Sequence, residues 1–181
     1  MELLRSGDNA RAATEAIRGI GPQVLQYLRS LLRNEGDASE AFSSFAEHLW
    51  VGLGGFSGAS SFKAWAFRLA RNAAINLRNE AWHRRVRPFA TGEATALAEE
   101  VRTRSSSRVE GQRQALDELR RELAEEDRTL LILRVDQELS WEEISAVLSA
   151  GKPLAPNTLA QRFVQIKKTL RELARARGLL D

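Results

Sequence analysis

The sequence predicts an all-α protein made of two small helical domains joined by a flexible linker. Two observations carry this. Apolar residues recur at helical spacing over long segments, and almost no stretch alternates as a strand would. The four prolines and twelve glycines also gather where helices should end rather than within the periodic runs.

Taken in order, a first helix is expected from about Asn9 to Arg18, stopping at Gly19 to Pro22. A second, about Gln23 to Arg33, places Val24, Leu28, Leu31 and Leu32 on one side and ends at Asn34-Glu35-Gly36. A third starts near Asp37, an acid suited to a helix N-terminus, and ends before the glycine-rich stretch Gly52 to Gly58. The fourth is long, from about Ser61 to Arg85, with Phe62, Trp65, Leu69, Ala73 and Leu77 near helical spacing. Residues 89–112, rich in Ala, Thr, Ser and Gly without a sustained apolar stripe, read as the linker, with at most one transient helical turn. The domains therefore span 1–88 and 113–181.

In the second domain Leu116, Leu119 and Leu123 line one face, and the apolar run Leu130 to Leu133 carries the next helix. Ser140-Trp141-Glu142-Glu143 has the pattern of a capping box. The helix behind it carries Ile144, Val147 and Leu148. After the turn SAGKPLAPN, Asn157 or Thr158 is expected to cap a last helix with Leu159, Phe163, Ile166, Leu170 and Leu173 in its stripe.

Composition excludes several chemistries. The 181 residues are 43% hydrophobic and 28% charged, enough for a core and unlike a disordered tail. Cysteine is absent and only His48 and His83 are present, which leaves no thiolate site and little for a metal. No nucleophile-base set or phosphate-cradling loop is found either, so no enzyme activity, metal or cofactor is expected. The first residues, MELLRSGDNARAATEAIRG, hold no apolar stretch long enough for a signal peptide or membrane span. A soluble cytoplasmic protein without membrane insertion is the expectation.

The net charge of +3 hides sorting. Between Lys63 and Arg87 seven basic residues face Glu80 alone, and between Gln161 and Arg177 six face Glu172 alone. Glu110 to Arg128 between them holds seven acids and four arginines. Two basic clusters around an acidic one suit a protein that grips a polyanion at two places; solvated helix faces would look similar.

The last helix is amphipathic and basic. Thr158, Ala160, Gln161, Arg162 and Gln165 are placed to reach base edges in a major groove, where Arg and Gln make bidentate contacts. Lys167, Lys168 and Arg171 are better placed for phosphates. In the first domain, aromatic residues interleave with basic and amide ones. Arg68, Arg71, Asn72, Ile75, Asn79 and Trp82 come up on roughly one face beside a Gly/Ser loop carrying Phe56. Such a surface suits single-stranded nucleic acid, where stacking contributes about 1–3 kcal/mol per base. Phe62, Trp65 and Phe67 read more simply as core, Trp65 included; Phe56 and Trp82 fit either role.

These motifs resemble the sigma-70-type RNA polymerase sigma factors, closest to the small extracytoplasmic-function (ECF) group. DASEAFSSFAEHLW (Asp37 to Trp50) and FSGASSFKAWAFRLARN (Phe56 to Asn72) are similar to that family's second region, and LILRVDQELSWEEISAVL to its fourth. The resemblance implies a transcription initiation factor that takes core RNA polymerase to promoters. It implies docking on the polymerase through Asp37, Glu40, Ser43, Ser44, Glu47 and Trp50. It implies melting and reading of the minus-ten element through Phe56, Ser57, Ser60, Ser61, Lys63, Arg68, Arg71, Asn72, Asn76 and Asn79. The final helix would read the minus-thirty-five element through Asn157, Thr158, Ala160, Gln161, Arg162, Gln165, Lys167, Lys168 and Arg171. Control by an anti-sigma factor is a further implication.

The chain departs from the family pattern twice. Ser43-Ser44 replaces the family's Q-E pair, and the turn from Leu148 to Thr158, spanning ten positions, is longer than usual. Two other readings remain open: a stand-alone helix-turn-helix regulator of duplex DNA, and a helical adaptor whose basic faces bind acidic proteins.

Overall fold

A computed structural model describes residues 9–32, 34–82, 92–105, 113–149 and 154–180. Among these the chain is all-helical and divides into two compact units, Met1–Ser107 and Arg108–Asp181.

In the first unit, α1 runs unbroken from Asn9 to Leu32, through both Gly19 and Pro22. The expected stop at Gly19 to Pro22 is therefore absent. Proline withholds one N–H and usually kinks a helix interior, but packing outweighs the local signal. Ile17, Ile20, Gly21, Val24, Leu25, Leu28 and Leu31 are all buried along one continuous stripe. Gly21 is itself a contact point, since a Cβ there would stand 3.2 Å from both the Phe42 ring and Val101.

Helix α2, Glu35–Gly52, starts two residues before the expected Asp37. Its cap is Asn34, whose side-chain oxygen accepts from the N–H groups of Gly36 (2.8 Å) and Asp37 (3.2 Å). Arg29 closes the corner by pairing with Glu35 at 2.6 Å. The helix buries Phe42, Phe45 and Leu49, with Phe42 and Phe45 in ring contact. A short 3-10 turn, Leu53–Gly55, leads into a loop in which Gly58 adopts φ +74.

Helix α3, Phe62–Trp82, meets the core mostly through small residues: Ala64, Ala66, Ala70, Ala73 and Ala74, with Phe67 edge-on to Tyr27. The expected extension toward Arg85 lies outside the described residues, as do Arg84, Arg87 and the Trp82 side chain.

The stretch expected to be a linker contains a fourth helix, α4, Gly92–Ser105. Ala94, Leu97, Ala98 and Val101 are buried as it packs on α1 and α2. Arg18 reaches Glu100 at 3.1 Å, and Arg102 donates to the Ser43 hydroxyl (2.9 Å) and the Ser39 carbonyl (3.2 Å). Residues 92–105 thus belong to the first unit. Their apolar positions are few and mostly alanine, which made the stripe too faint to see. The remainder of 89–112 lies outside the described residues.

The second unit comprises α5 (Arg113–Glu122), α6 (Glu125–Leu131, running on as a π turn over Ile132–Asp136), α7 (Trp141–Leu148) and α8 (Pro156–Ala176). Leu119, Leu123, Leu130 to Leu133, Leu139, Ile144, Val147, Leu159 and Ile166 are buried here; the Leu116 side chain lies outside the described residues. Arg120 grips Asp136 through two bonds of 2.9 Å, joining α5 to the π turn. Arg177, beyond α8, pairs with Glu118 and Glu122 of α5. Glu138 takes φ 54, and Arg134 donates to the Leu139 carbonyl at 2.7 Å to fix the reversal.

The capping box is present as expected: Ser140 Oγ accepts from the Glu143 N–H, and the Ser140 N–H donates to the Glu143 carboxylate. The start of α8 differs. Ala155 holds the cap position without a side-chain bond, and Pro156 opens the helix. Asn157 and Thr158 lie within its first turn instead of capping it. Helix α7 ends at Leu148, so it does not extend into the long turn. Residues 150–153 of that turn lie outside the described residues. Its described end is tied back by Ser145 Oγ, which donates to the Leu154 carbonyl at 2.7 Å.

Candidate nucleic-acid interface

Helical periodicity brings Trp65, Arg68, Asn72, Ile75, Asn76 and Asn79 onto one side of α3. The opposite side carries the buried Ala66, Phe67, Ala70, Ala73 and Ala74. Asn72, Asn76 and Asn79 are exposed, and Arg68 and Arg71 are half-buried. Among the described residues neither arginine makes a hydrogen bond or ion pair, so both charges remain available to a ligand. Arg71 sits at the edge of this face. Lys63, nine positions before Asn72, lies on the far side of the helix and does not join it.

At the N-terminal end of this face stands a cluster of three rings. Phe56 lies 5.1 Å from Trp65 and 5.9 Å from Phe62, and Phe62 is 5.8 Å from Trp65. All three are half-buried. The expectation that Trp65 is core is therefore corrected: it lies over Gly52, where a Cβ would stand 3.5 Å from its ring, and it presents its remaining surface beside Phe56. Phe67 alone of the three residues read as core is fully buried. The loop serines divide. Ser57 is exposed and Ser60 half-buried, while the Ser61 hydroxyl accepts from the Ala64 N–H at 3.1 Å and starts α3. Apolar rings, amides and free guanidinium groups on one surface can hold an unstacked base while charge follows its backbone.

A second surface lies along α2. Asp37 and Glu40 are exposed, and Ser43, Ser44, Glu47 and Trp50 are half-buried along adjoining turns. Val51, 75% exposed, lies among them and was missed in the sequence. Burial pushes the Glu47 carboxyl above its ordinary range, with neighbouring His48 acting in the opposite direction. His48 Nδ1 donates to the Ser44 carbonyl at 2.6 Å. Both serine hydroxyls on this surface are engaged, Ser43 by Arg102 of α4 and Ser44 by His48 Nδ1 at 3.3 Å.

On α8, Asn157, Gln161, Val164, Gln165, Lys168 and Arg171 are exposed on the side opposite Leu159 and Ile166. Thr158 and Ala160 flank this face. Lys167 leans over the Phe163 ring at 5.3 Å, and Phe163 packs against Trp141, which Arg134 covers at 4.6 Å. Arg162 differs from the expected base-reading role. It turns to α6, pairing with Asp127 at 2.5 Å and Glu126 at 2.9 Å. Burial acts to lower its pKa, but the hydrogen bonds to Asp127 and Glu126 outweigh that and raise it.

Among the described residues, no group of three His, Cys, Asp or Glu could hold a metal ion, and no helix is long and apolar enough to cross a membrane. Residues 16–84, from within α1 through α3, match the family model for Sigma-70 region 2. That match supports a sigma-70 family sigma factor and, with it, interaction with core RNA polymerase and binding of promoter DNA. No curated protein matches the chain.

Proposed function

From a chain whose α1 to α3 match Sigma-70 region 2, we propose an ECF-type sigma factor that acts in the cytoplasm and has no catalytic role of its own. The carrying observation is the continuity of the Phe56–Phe62–Trp65 cluster with the Arg68–Asn72–Asn76–Asn79 face. This surface opens the minus-ten element and holds its unpaired bases, one of them taken out of the stack beside the loop. Each base stacked there contributes about 1–3 kcal/mol, enough for two or three to offset the opening of a few base pairs.

The acidic surface of α2 docks on core polymerase, with Asp37, Glu40, Ser44, Glu47 and Trp50 as its contacts and Ser43 at its edge. Helices α7 and α8 form a helix-turn-helix, and α8 enters the major groove of the minus-thirty-five element. Residues 1–88 and 113–181 divide these tasks, with α4 attached to the first. An anti-sigma factor that masks these surfaces controls the protein.

Reconstituted transcription tests the reading. Purified protein with core polymerase on a genomic promoter library should give discrete start sites preceded by two shared elements. Absence of core binding and of specific starts overturns it. Tight polymerase-independent binding to a palindromic duplex would favour a stand-alone regulator instead.

A further inference from the structure

On α8, Val164 is the apolar member of an otherwise polar face. It is 56% exposed, and its neighbours on that face are Asn157, Gln161, Gln165, Lys168 and Arg171. Single exposed apolar residues are ordinary on protein surfaces; the position of this one makes it informative. A β-branched residue is a poorer helix former than alanine, lysine or glutamate, and at this exposure Val164 adds little to the core. Neither helix stability nor packing accounts for it.

Val164 lies two to three turns into α8, about 12 Å along the axis from Pro156, within the part of a recognition helix that a major groove about 12 Å wide admits. Arg162, two positions before it and on the other side of the helix, is held by Asp127 and Glu126. Lys167 and Lys168, three and four positions on, lie one turn further along and leave the turn before them to Gln161, Val164 and Gln165. In the major groove the only apolar feature of a base edge is the thymine 5-methyl group, and glutamine amides match the adenine N6 and N7 nearby.

We propose that Val164 is a specificity-determining residue that reads the 5-methyl group of a thymine in the upstream promoter element. The proposal rests on the duplex-reading role given to α8 above. Gln161 and Gln165 flank it as readers of adenine in the same or an adjacent base pair.

The test uses the full chain with core polymerase. Upstream elements are first selected from a randomised duplex library, and each thymine in the selected element is then replaced singly by deoxyuridine, which removes only the methyl group. Binding is measured by competition for the wild-type chain, Val164→Ala and Val164→Thr. Burial of one methyl is worth about fourfold in affinity.

One thymine position should lose about that factor on demethylation with the wild-type chain and with Val164→Thr, which keeps a methyl group. Val164→Ala, which loses both γ-methyls, should lose most of that dependence there. Thermal melting of both variants should stay within a few degrees of wild type; if Val164→Ala melts early, Val164→Ser takes its place in the comparison. A wild-type chain indifferent to methyl removal at every position, or an alanine variant that keeps the dependence, overturns the proposal while leaving promoter binding intact. Failure of the library to yield any preferred upstream element overturns the duplex-reading role of α8 itself, and the proposal with it.

Discussion

Arg162 of α8 donates through Nε to Asp127 of α6 at 2.5 Å, across 35 positions of sequence. A residue whose type and position suit base reading is thereby engaged inside its own unit. Glu126 accepts from the same guanidinium, so two acids at the start of α6 hold α8 in its orientation. Both acids also sit in the first turn of α6, where the helix dipole favours negative charge. One pair of carboxylates therefore supports two helices.

Replacing Arg162 by alanine should weaken the second unit only modestly. The Arg162 side chain is 41% exposed and that of Glu126 74%, so solvent screens the pair and about 0.5–1 kcal/mol is the expected loss. Thermal melting at low and high salt reads it, with a smaller difference from wild type at high salt. Because Asp127 and Glu126 engage this guanidinium within its own unit, the slope of log affinity for duplex DNA against log salt should stay unchanged. Lys168→Ala, by contrast, should reduce that slope by about 0.9.

Helix α4 should separate from the first unit when its buried face is charged. Val101 lies against Gly21 and is 3% exposed; Val101→Asp places an unpaired carboxylate there, which is costly. Hydrogen exchange should accelerate across 92–105 while α1 to α3 remain protected. Uniform acceleration across the unit would mean that α4 and the other three helices unfold together.

The sequence revealed helices whose cores are built from large residues. Leu28, Leu31, Ile144 and Ile166 stand out at helical spacing, and Ser140 with Glu143 marks a helix start in four residues. It concealed α4 because Ala94 and Ala98 contribute little apolar contrast, although they allow close approach to α1 and α2. Pro22 misled for a related reason: local propensity argues for a break there, and only the packing around Gly21 from distant Phe42 and Val101 shows why the helix continues. The interface followed the same division. The amide and arginine face of α3 was readable from periodicity, whereas Lys63 failed to join it through a half-turn offset. The acids that engage Arg162 lie too far away in sequence to be inferred from it.

Glu47 should make stability depend on pH in the sense opposite to a salt-bridged carboxylate. Burial raises its pKa above the ordinary value of 4.5, against the pull of His48. Between those two values the folded state binds a proton that the unfolded state releases. The contribution therefore favours folding at the acidic end of the window and is lost as pH rises through the raised pKa. Glu47→Gln should be slightly more stable than wild type at neutral pH, and the gap should close toward pH 4.5. Urea titrations across this range measure it. A gap that widens on acidification would refute the assignment.

Arg68 supplies the last expected outcome, which separates charge from stacking on the α3 face. Its guanidinium makes no hydrogen bond or ion pair among the described residues, so Arg68→Ala should leave the melting temperature nearly unchanged. If Arg68 contacts a phosphate of a melted strand, the variant should reduce the salt slope of single-strand binding by about 0.7. Phe56→Ala should behave differently. Its ring packs on Phe62 and Trp65, and its loss removes a stacking platform worth about 1–3 kcal/mol per base while leaving the salt slope intact. Holoenzyme titrations on a pre-melted promoter, where strand opening no longer contributes, make the two effects separable. Equal salt slopes for wild type and Arg68→Ala would remove Arg68 from the phosphate contacts.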